Sequence, residues 1–499
     1  MKLSRLFDEW YEEILIFSFL IFLYASWILP FSEIYNKYYE SDEGIYLYFS
    51  KTIANSNFSL QPYKDFFLAH PPTFLYIFAL LFKIFGTSII VARVFNFINE
   101  TFNLFLIYLI CRRFIGKYFG FLPIFLMLIS SIYQLDYYSL LGATQCLTFV
   151  LLSIYVFSYK KRFMGMGSDY WIGIFAALAM LTRFHALPLP LGFFIYFIFT
   201  KNFKSMKKFL LAFSITFFLP MLYFTLISKG KAIYDLYLYH LYKHKGMGLA
   251  EFIDLYIRGD IARDFMLWML TFVGCYYSFS GKRRGLVFLT SILFLAQWGF
   301  NIISSFRTFP WYTQYIYYYA CFPAAFALKK VTKNWKYKQA VVLILALSFF
   351  NLYLRIPHFG DTRGWNLFTS AVEKTSEELD RLMDERNLTE TYILSTTYIL
   401  GDAVAFHNDR VNVPPDLIDF NGFRAMYPIK FFFLYFPGGE LNIDMILKNM
   451  EEYGVRFVVS KRGESIAIRE FNEFLTRNAK LVTSIPMGVY TVDILEVKM

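Results

Sequence analysis

The chain has 499 residues, of which 57% are hydrophobic, 22% aromatic and only 17% charged. This balance excludes an ordinary water-soluble globular protein, in which about a quarter of residues are charged, and makes lipid the solvent for much of the chain. The net charge of +11 does not mark a nucleic-acid binder, because Lys and Arg gather in short turns between apolar runs instead of forming a stripe on a soluble domain.

A membrane-crossing helix needs roughly 17 to 25 apolar residues, since no backbone polar group stays unpaired in hydrocarbon. In chain order the candidate spans are Ile14 to Leu29, Ser88 to Ile110, Tyr118 to Tyr133, Leu141 to Ser158, Trp171 to Phe184, Leu187 to Thr200, Phe209 to Ile227, Phe265 to Ser280, Leu286 to Ile303, Tyr312 to Leu328 and Ala340 to Leu354. That is about 11 transmembrane helices. The first is read as a retained span and not a cleaved signal peptide, since Asp8, Glu9, Glu12 and Glu13 break the basic leader pattern and further spans follow. Phe74 to Phe85 is only about a dozen residues and fits an interfacial or re-entrant helix better than a span. The four cysteines (Cys111, Cys146, Cys275, Cys321) lie in or beside apolar runs without CxxC spacing, so neither a disulfide framework nor a zinc or redox pair is expected.

If Phe74 to Phe85 does not cross, one side of the membrane receives the turns carrying Arg112, Arg113 and Lys117; Lys160, Lys161 and Arg162; Lys201, Lys204, Lys207 and Lys208; Lys282, Arg283 and Arg284; and Lys329 through Lys338. The opposing short turns, Gln134 to Leu140 and Ser304 to Pro310, hold Arg307 alone. The positive-inside rule then puts the N-terminus in the cytoplasm of a multi-pass plasma-membrane protein. Two long loops (residues 30–87 and 228–264) and the tail lie outside. The tail is charged and mixed, with a helical pattern around Trp365 to Arg386, a strand Thr391 to Ser395, a helix from about Asn442 to Tyr453 and a strand Val455 to Ser460. Residues 1–355 are therefore expected to form the membrane domain and residues 356–499 a soluble extracytoplasmic α/β domain with a partly parallel sheet. No Gly-rich phosphate fingerprint follows its strands.

After the first span the chain reads YYESDEGIYLYFSKTI, where Asp42 and Glu43 open a helix with Ile45, Tyr48, Phe49 and Ile53 at helical spacing. Such a helix suits the membrane surface. The bland reading of Asp42 is a first-turn acid favoured by the helix dipole; the functional one is a general base. Within the spans, Glu100 with Asn96, Asn99 and Asn103 marks a polar face, for which helix-to-helix hydrogen bonding is the favoured reading.

The pieces ESDEGIYLYFSKTI, PYKDFFLAHPPTFLYIFALLFKIFG and VARVFNFI, in this order and spacing, resemble the start of the dolichyl-phosphate-mannose protein mannosyltransferase and aminoarabinose-transferase superfamily, the GT-C glycosyltransferases. The combination of the DE pair, Pro71 and Pro72, the run ending in FG and an Arg soon after carries the resemblance. YDLYLYHLYKHKG around His240 and RTFPWYTQYIYYYACFP are similar too.

The resemblance implies a GT-C-like membrane enzyme that passes a sugar, with inversion, from a polyprenyl or dolichyl phosphate to an extracytoplasmic hydroxyl of a protein, lipid or glycan. Asp42 sits where the family keeps its catalytic acid, with Glu43 beside it as helper. Candidates for the lipid phosphate are His70, His240, Lys243, Lys245 and Arg307. Asp136 is the second acidic site the family implies, with Gln145 as the alternative register. Arg183 resembles a basic residue of the family, and snorkelling accounts for it equally. No metal-ligand motif with fixed spacing occurs, so no cofactor is assigned. The resemblance leaves a divalent ion on Asp42, Glu43 and Asp136 open. A transporter or flippase of lipid-linked glycans is the competing class, which predicts repeated halves with interrupted helices.

Overall fold

The computed structural model describes residues 15–22, 41–116, 119–128, 140–159, 165–238, 250, 261, 264–281, 285–304, 314–331, 363–396, 400–414, 429–431, 434–436, 443–462, 469–487 and 490–498. Following a short helix over residues 15–22, the helices are α1 (Ser41–Asn55), α2 (Thr73–Phe85), α3 (Ile89–Ile115), α4 (Leu122–Leu128), α5 (Ala143–Tyr159), α6 (Ser168–Thr182), α7 (Pro188–Phe199), α8 (Phe203–Ile227), α9 (Phe265–Ser280), α10 (Leu286–Ser304) and α11 (Gln314–Val331).

Among the described residues three helices are long and apolar enough to cross a membrane, Ile89–Arg113, Phe203–Ile227 and Leu286–Ile303. The expected span Ala340 to Leu354 lies outside the described residues, and those at Ile14 to Leu29 and Tyr118 to Tyr133 lie partly outside. Several of the other expected runs are apolar helices of fewer than 18 residues. The apolar run around residues 171–200 is broken at Arg183, whose extended backbone (φ −152°, ψ 131°) ends α6, and α7 restarts with Pro188 at its N-terminus. α2 has 13 residues, about 20 Å at 1.5 Å per residue, against roughly 30 Å of hydrocarbon. It buries Phe74, Leu75, Phe78, Ala79 and Phe82.

The polar face of α3 points into the bundle. Asn103 donates to the Glu100 carboxylate (3.0 Å) and to the Thr144 carbonyl (3.1 Å), the Thr148 hydroxyl donates to Asn103 (2.7 Å), and Gln145 donates to Asn96 (3.2 Å). The Tyr318 hydroxyl reaches Glu100 from α11 at 3.5 Å. Helix-to-helix hydrogen bonding is what these groups do. All four cysteines are buried free thiols.

The C-terminal portion contains α12 (Arg363–Glu385), β1 (Thr391–Ser395), α13 (Leu400–His407), β2 (Val411–Asn412), β3 (Ile429–Phe431), β4 (Leu434–Phe436), α14 (Ile443–Glu452), β5 (Val455–Lys461), α15 (Arg469–Asn478), β6 (Ala479–Met487) and β7 (Tyr490–Val497). Five strands form a sheet in the order β2-β1-β5-β7-β6, and β3 pairs with β4. β1 runs parallel to β2 and β5, while β7 runs antiparallel to β5 and β6. The partly parallel sheet expected of the tail is present, completed by a hairpin that the sequence reading left out.

α1 is not the surface-lying helix expected. Its residues from Glu43 to Lys51 are all buried, because α2 covers one side and α13 of the C-terminal portion covers another.

Candidate active site

The first turn of α1 holds Asp42 and Glu43, where the unpaired N–H groups and the helix dipole favour acids. Asp42 is half-buried and Glu43 is fully buried. Glu43 is bound on both oxygens: Arg93 of α3 donates to Oε1 through Nη1 (2.9 Å) and to Oε2 through Nη2 (2.6 Å), and the Leu140 backbone N–H donates to Oε1 (2.8 Å). A two-pronged guanidinium fixes a carboxylate in direction as well as in distance. The Arg that follows the FG end of the amphipathic run is thus the counter-charge of Glu43, the second acid of the DE pair.

The turn that Glu43 holds is held a second time. Arg183, 2% exposed, donates from Nε to the Leu141 carbonyl (2.6 Å), and its Nη2 donates to the same oxygen. Its guanidinium lies 5.6 Å from the Phe74 ring centroid and 6.0 Å from that of Tyr46, within cation–π range. Snorkelling to water is therefore excluded for Arg183. Gly142 completes the turn with φ +79°, and a Cβ there would lie 2.6 Å from Phe74 Cγ; only glycine meets both demands. Residues 140–142 are in this way clamped between α1, α2 and the end of α6.

His70 precedes the Pro pair and is half-buried, with its ring 5.7 Å from that of Tyr46, one turn along α1 from Asp42. Its carbonyl accepts from the buried Tyr63 hydroxyl at 2.7 Å. The structure thus brings His70, the acidic turn of α1, Arg93 and Arg183 into one locality. Asp136, His240, Lys243, Lys245 and Arg307 lie outside the described residues. His185 stacks on Tyr315, with ring centroids 6.1 Å apart. Gln145 is committed to Asn96 within the bundle.

A carboxylate that was not singled out in the sequence joins from the second long loop, within the stretch YDLYLYHLYKHKG. Asp235 is 2% exposed in the one-turn π-helix Tyr234–Leu238. One oxygen accepts from the Leu68 backbone N–H, two residues before His70, while Oδ1 has no hydrogen-bond partner among the described residues. Burial raises its pKa well above the usual carboxylate value; the Leu68 N–H and Lys231 oppose that shift. A carboxyl whose folded pKa is raised keeps in the native state a proton that the unfolded chain releases above about pH 3.8, so it costs stability increasingly as pH rises from there. Asp235→Asn is therefore expected to leave the melting temperature unchanged at pH 4 and raise it at pH 7. Thermal unfolding of both forms at the two pH values checks this.

The metal set left open by the resemblance does not fit well on Glu43, whose two oxygens already accept three hydrogen bonds, two of them from a guanidinium. Among the described residues no group of three or more His, Cys, Asp or Glu side chains is placed to hold a metal ion.

Residues 69–224, about a third of the chain, match the family model for dolichyl-phosphate-mannose-protein mannosyltransferase. The fold is that of ArnT from Cupriavidus metallidurans solved bound to undecaprenyl phosphate, with a TM-score of 0.64 over 96% of this chain and 97% of that one, at 13% identity. The apo form of that protein gives 0.59 over 91% and 93%, at 12% identity. The archaeal oligosaccharyltransferase AglB from Archaeoglobus fulgidus, in complex with an inhibitory peptide and a dolichol-phosphate, gives 0.51 over 91% of this chain and 70% of that one, at 15% identity. No curated protein matches in sequence. The chain thus resembles that family in sequence over residues 69–224 and shares its fold with ArnT and AglB.

Proposed function

We propose that this protein is an inverting transferase that takes a sugar from a polyprenyl- or dolichyl-phosphate donor and joins it to an extracytoplasmic hydroxyl of a protein, lipid or glycan. The observation that carries the reading is the acidic turn of α1. A buried, fully bound Glu43 locks the helix start to α3 and to the 140–142 turn, while Asp42 beside it keeps partial access to solvent.

In the proposed reaction the Asp42 carboxylate takes the acceptor hydroxyl's proton as that oxygen attacks the anomeric carbon. The bond from that carbon to the lipid phosphate breaks, and its electrons leave with the phosphate. Inversion needs only one such carboxylate. His70 lies near enough to the acidic turn, across Tyr46, to assist the departing phosphate. Arg183 adds a fixed positive charge to the same neighbourhood, although its hydrogen bonds go to Leu141. His240, Lys243, Lys245 and Arg307 are proposed as further donor-phosphate or lipid contacts, and Asp136 as a second acid. Glu43 acts as a positioning residue. The N-terminus is assigned to the cytoplasm and the C-terminal sheet to the outer face, on the distribution of basic turns. Ligands named for the similar structures, undecaprenyl phosphate and dolichol-phosphate, support a polyprenyl-phosphate donor.

Proteoliposomes containing the protein, given a radiolabelled polyprenyl-phosphate sugar and candidate acceptors, separate this reading from a lipid-linked glycan transporter. The transferase forms labelled glycosides that survive the mild acid that hydrolyses the polyprenyl-phosphate sugar. Label that changes leaflet with no new glycosidic bond would sink the proposal.

A further inference from the structure

Three residues of α1 engage the C-terminal portion, and their spacing of four and three puts them on one face of the helix. At Gly44 the helices touch: a Cβ would stand 2.6 Å from Ala403 Cβ of α13. One turn on, the Tyr48 hydroxyl accepts from the Val413 N–H (2.8 Å) and faces the Val413 carbonyl at 3.4 Å. Another turn on, the ammonium of Lys51, a residue 3% exposed, donates to the Ala405 carbonyl (2.7 Å) and to that of Phe406 (3.4 Å), and pairs with Asp409 at 2.9 Å. The last carbonyls of a helix have no partner within it and carry partial negative charge, so a Lys is suited to close that end. Phe406 also meets Phe82 of α2, with ring centroids 5.7 Å apart.

This arrangement costs something if the two portions part. The Lys51 ammonium is sunk deep enough that burial lowers its pKa, with Asp409 pulling it back. Separation would leave the α13 carbonyls without this donor and the apolar face of α1 uncovered. Asp42, two residues before Gly44, lies about 200° around the helix from this seat. A push on the seated face therefore moves the acid on the far side.

We propose that the C-terminal α/β portion is a positioning element of the acidic turn, seating α13 on Gly44, Tyr48 and Lys51 so that α1 holds Asp42 at its working position. The catalytic consequence rests on the transferase reading; the seat itself does not. Tyr48, Lys51 and Ala403 are positioning residues that act through α1 and touch no substrate.

The test uses the full-length protein in detergent or liposomes, with two variants acting from opposite sides of the seat, Lys51→Met and Ala403→Leu, and Lys51→Arg as the conservative replacement. Hydrogen exchange of the α1 amides reports the seat, and the kcat and KM for the polyprenyl-phosphate sugar report its effect. A displaced reacting group costs up to about 100-fold for an ångström, so kcat is expected to fall at least about tenfold in both variants. KM should stay within about twofold, with faster exchange in α1 and recovery in Lys51→Arg. A kcat unchanged in both variants, or a loss confined to KM, overturns the positioning role. If the unaltered chain transfers no sugar, the functional reading fails, and α1 exchange that is equally slow in both variants would overturn the seat separately.

Discussion

Replacing Asp42 with Asn is expected to lower the kcat of sugar transfer by roughly 10²- to 10⁴-fold, the range that positioned proton transfer contributes. The substitution keeps size and hydrogen-bonding capacity at the first turn of α1 and removes only the ability to take a proton. The KM for donor should change little, because the amide neither attracts nor repels the lipid phosphate as a charge. Loss of a helix-end acid costs up to about 2 kcal/mol at a partly buried position such as this one, so the variant should fold and melt only a few degrees below the parent. Steady-state kinetics with labelled donor, alongside thermal unfolding, separates the outcomes. Transfer that survives unchanged would mean that Asp42 is only the dipole-compensating acid the local sequence allows.

Arg93→Met is the variant with the largest expected effect on stability. It removes a two-pronged guanidinium from a carboxylate that is fully buried and that also accepts from the neutral Leu140 N–H. Breaking a buried pair in this one-sided way costs about 3–5 kcal/mol, whereas replacing both partners by apolar groups is often close to neutral. The double variant Glu43→Leu with Arg93→Met should therefore recover much of the lost stability. It should not recover activity, because the 140–142 turn loses its hold on α1. Melting followed by tryptophan fluorescence, paired with the transfer assay, tests both halves. A single variant as stable as the parent would show that the pair contributes nothing net.

Sequence patterns that depend on local chemistry were the ones that survived contact with the structure. The apolar run Phe74 to Phe85 matches α2, Thr73–Phe85, to within one residue, and the expected strand Thr391 to Ser395 is β1. The polar face of α3 was legible because four amide and acid side chains in a hydrocarbon-length run have few places to go. Pairings across long separations were not legible. Arg93 was visible as part of a motif, but nothing local ties it to Glu43, 50 residues earlier. Arg183 could be read as a family-like basic residue or, equally, as a snorkelling one, since only the fold supplies the Leu141 carbonyl and the faces of Tyr46 and Phe74. α1 looked interfacial because one of its apolar faces is covered by residues more than 350 positions away. Asp235 lies in the family-like stretch YDLYLYHLYKHKG, but that stretch drew attention to His240 and its lysines, and the Asp becomes notable only when Leu68 is laid against it.

That last long separation sets a timetable for biosynthesis. Lys51 meets Ala405 across 354 residues, and Tyr48 meets Val413 across 365. At roughly 5 to 20 residues per second, a ribosome needs on the order of 20 to 70 s to travel from one partner to the other. Throughout that interval the acid-bearing helix has been made but its covering has not, and a Lys destined for burial faces solvent. Under the proposed function, the nascent chain inserts its hydrophobic helices first and becomes competent to handle donor only after its last hundred residues emerge, which keeps half-made chains from spending the lipid-linked sugar.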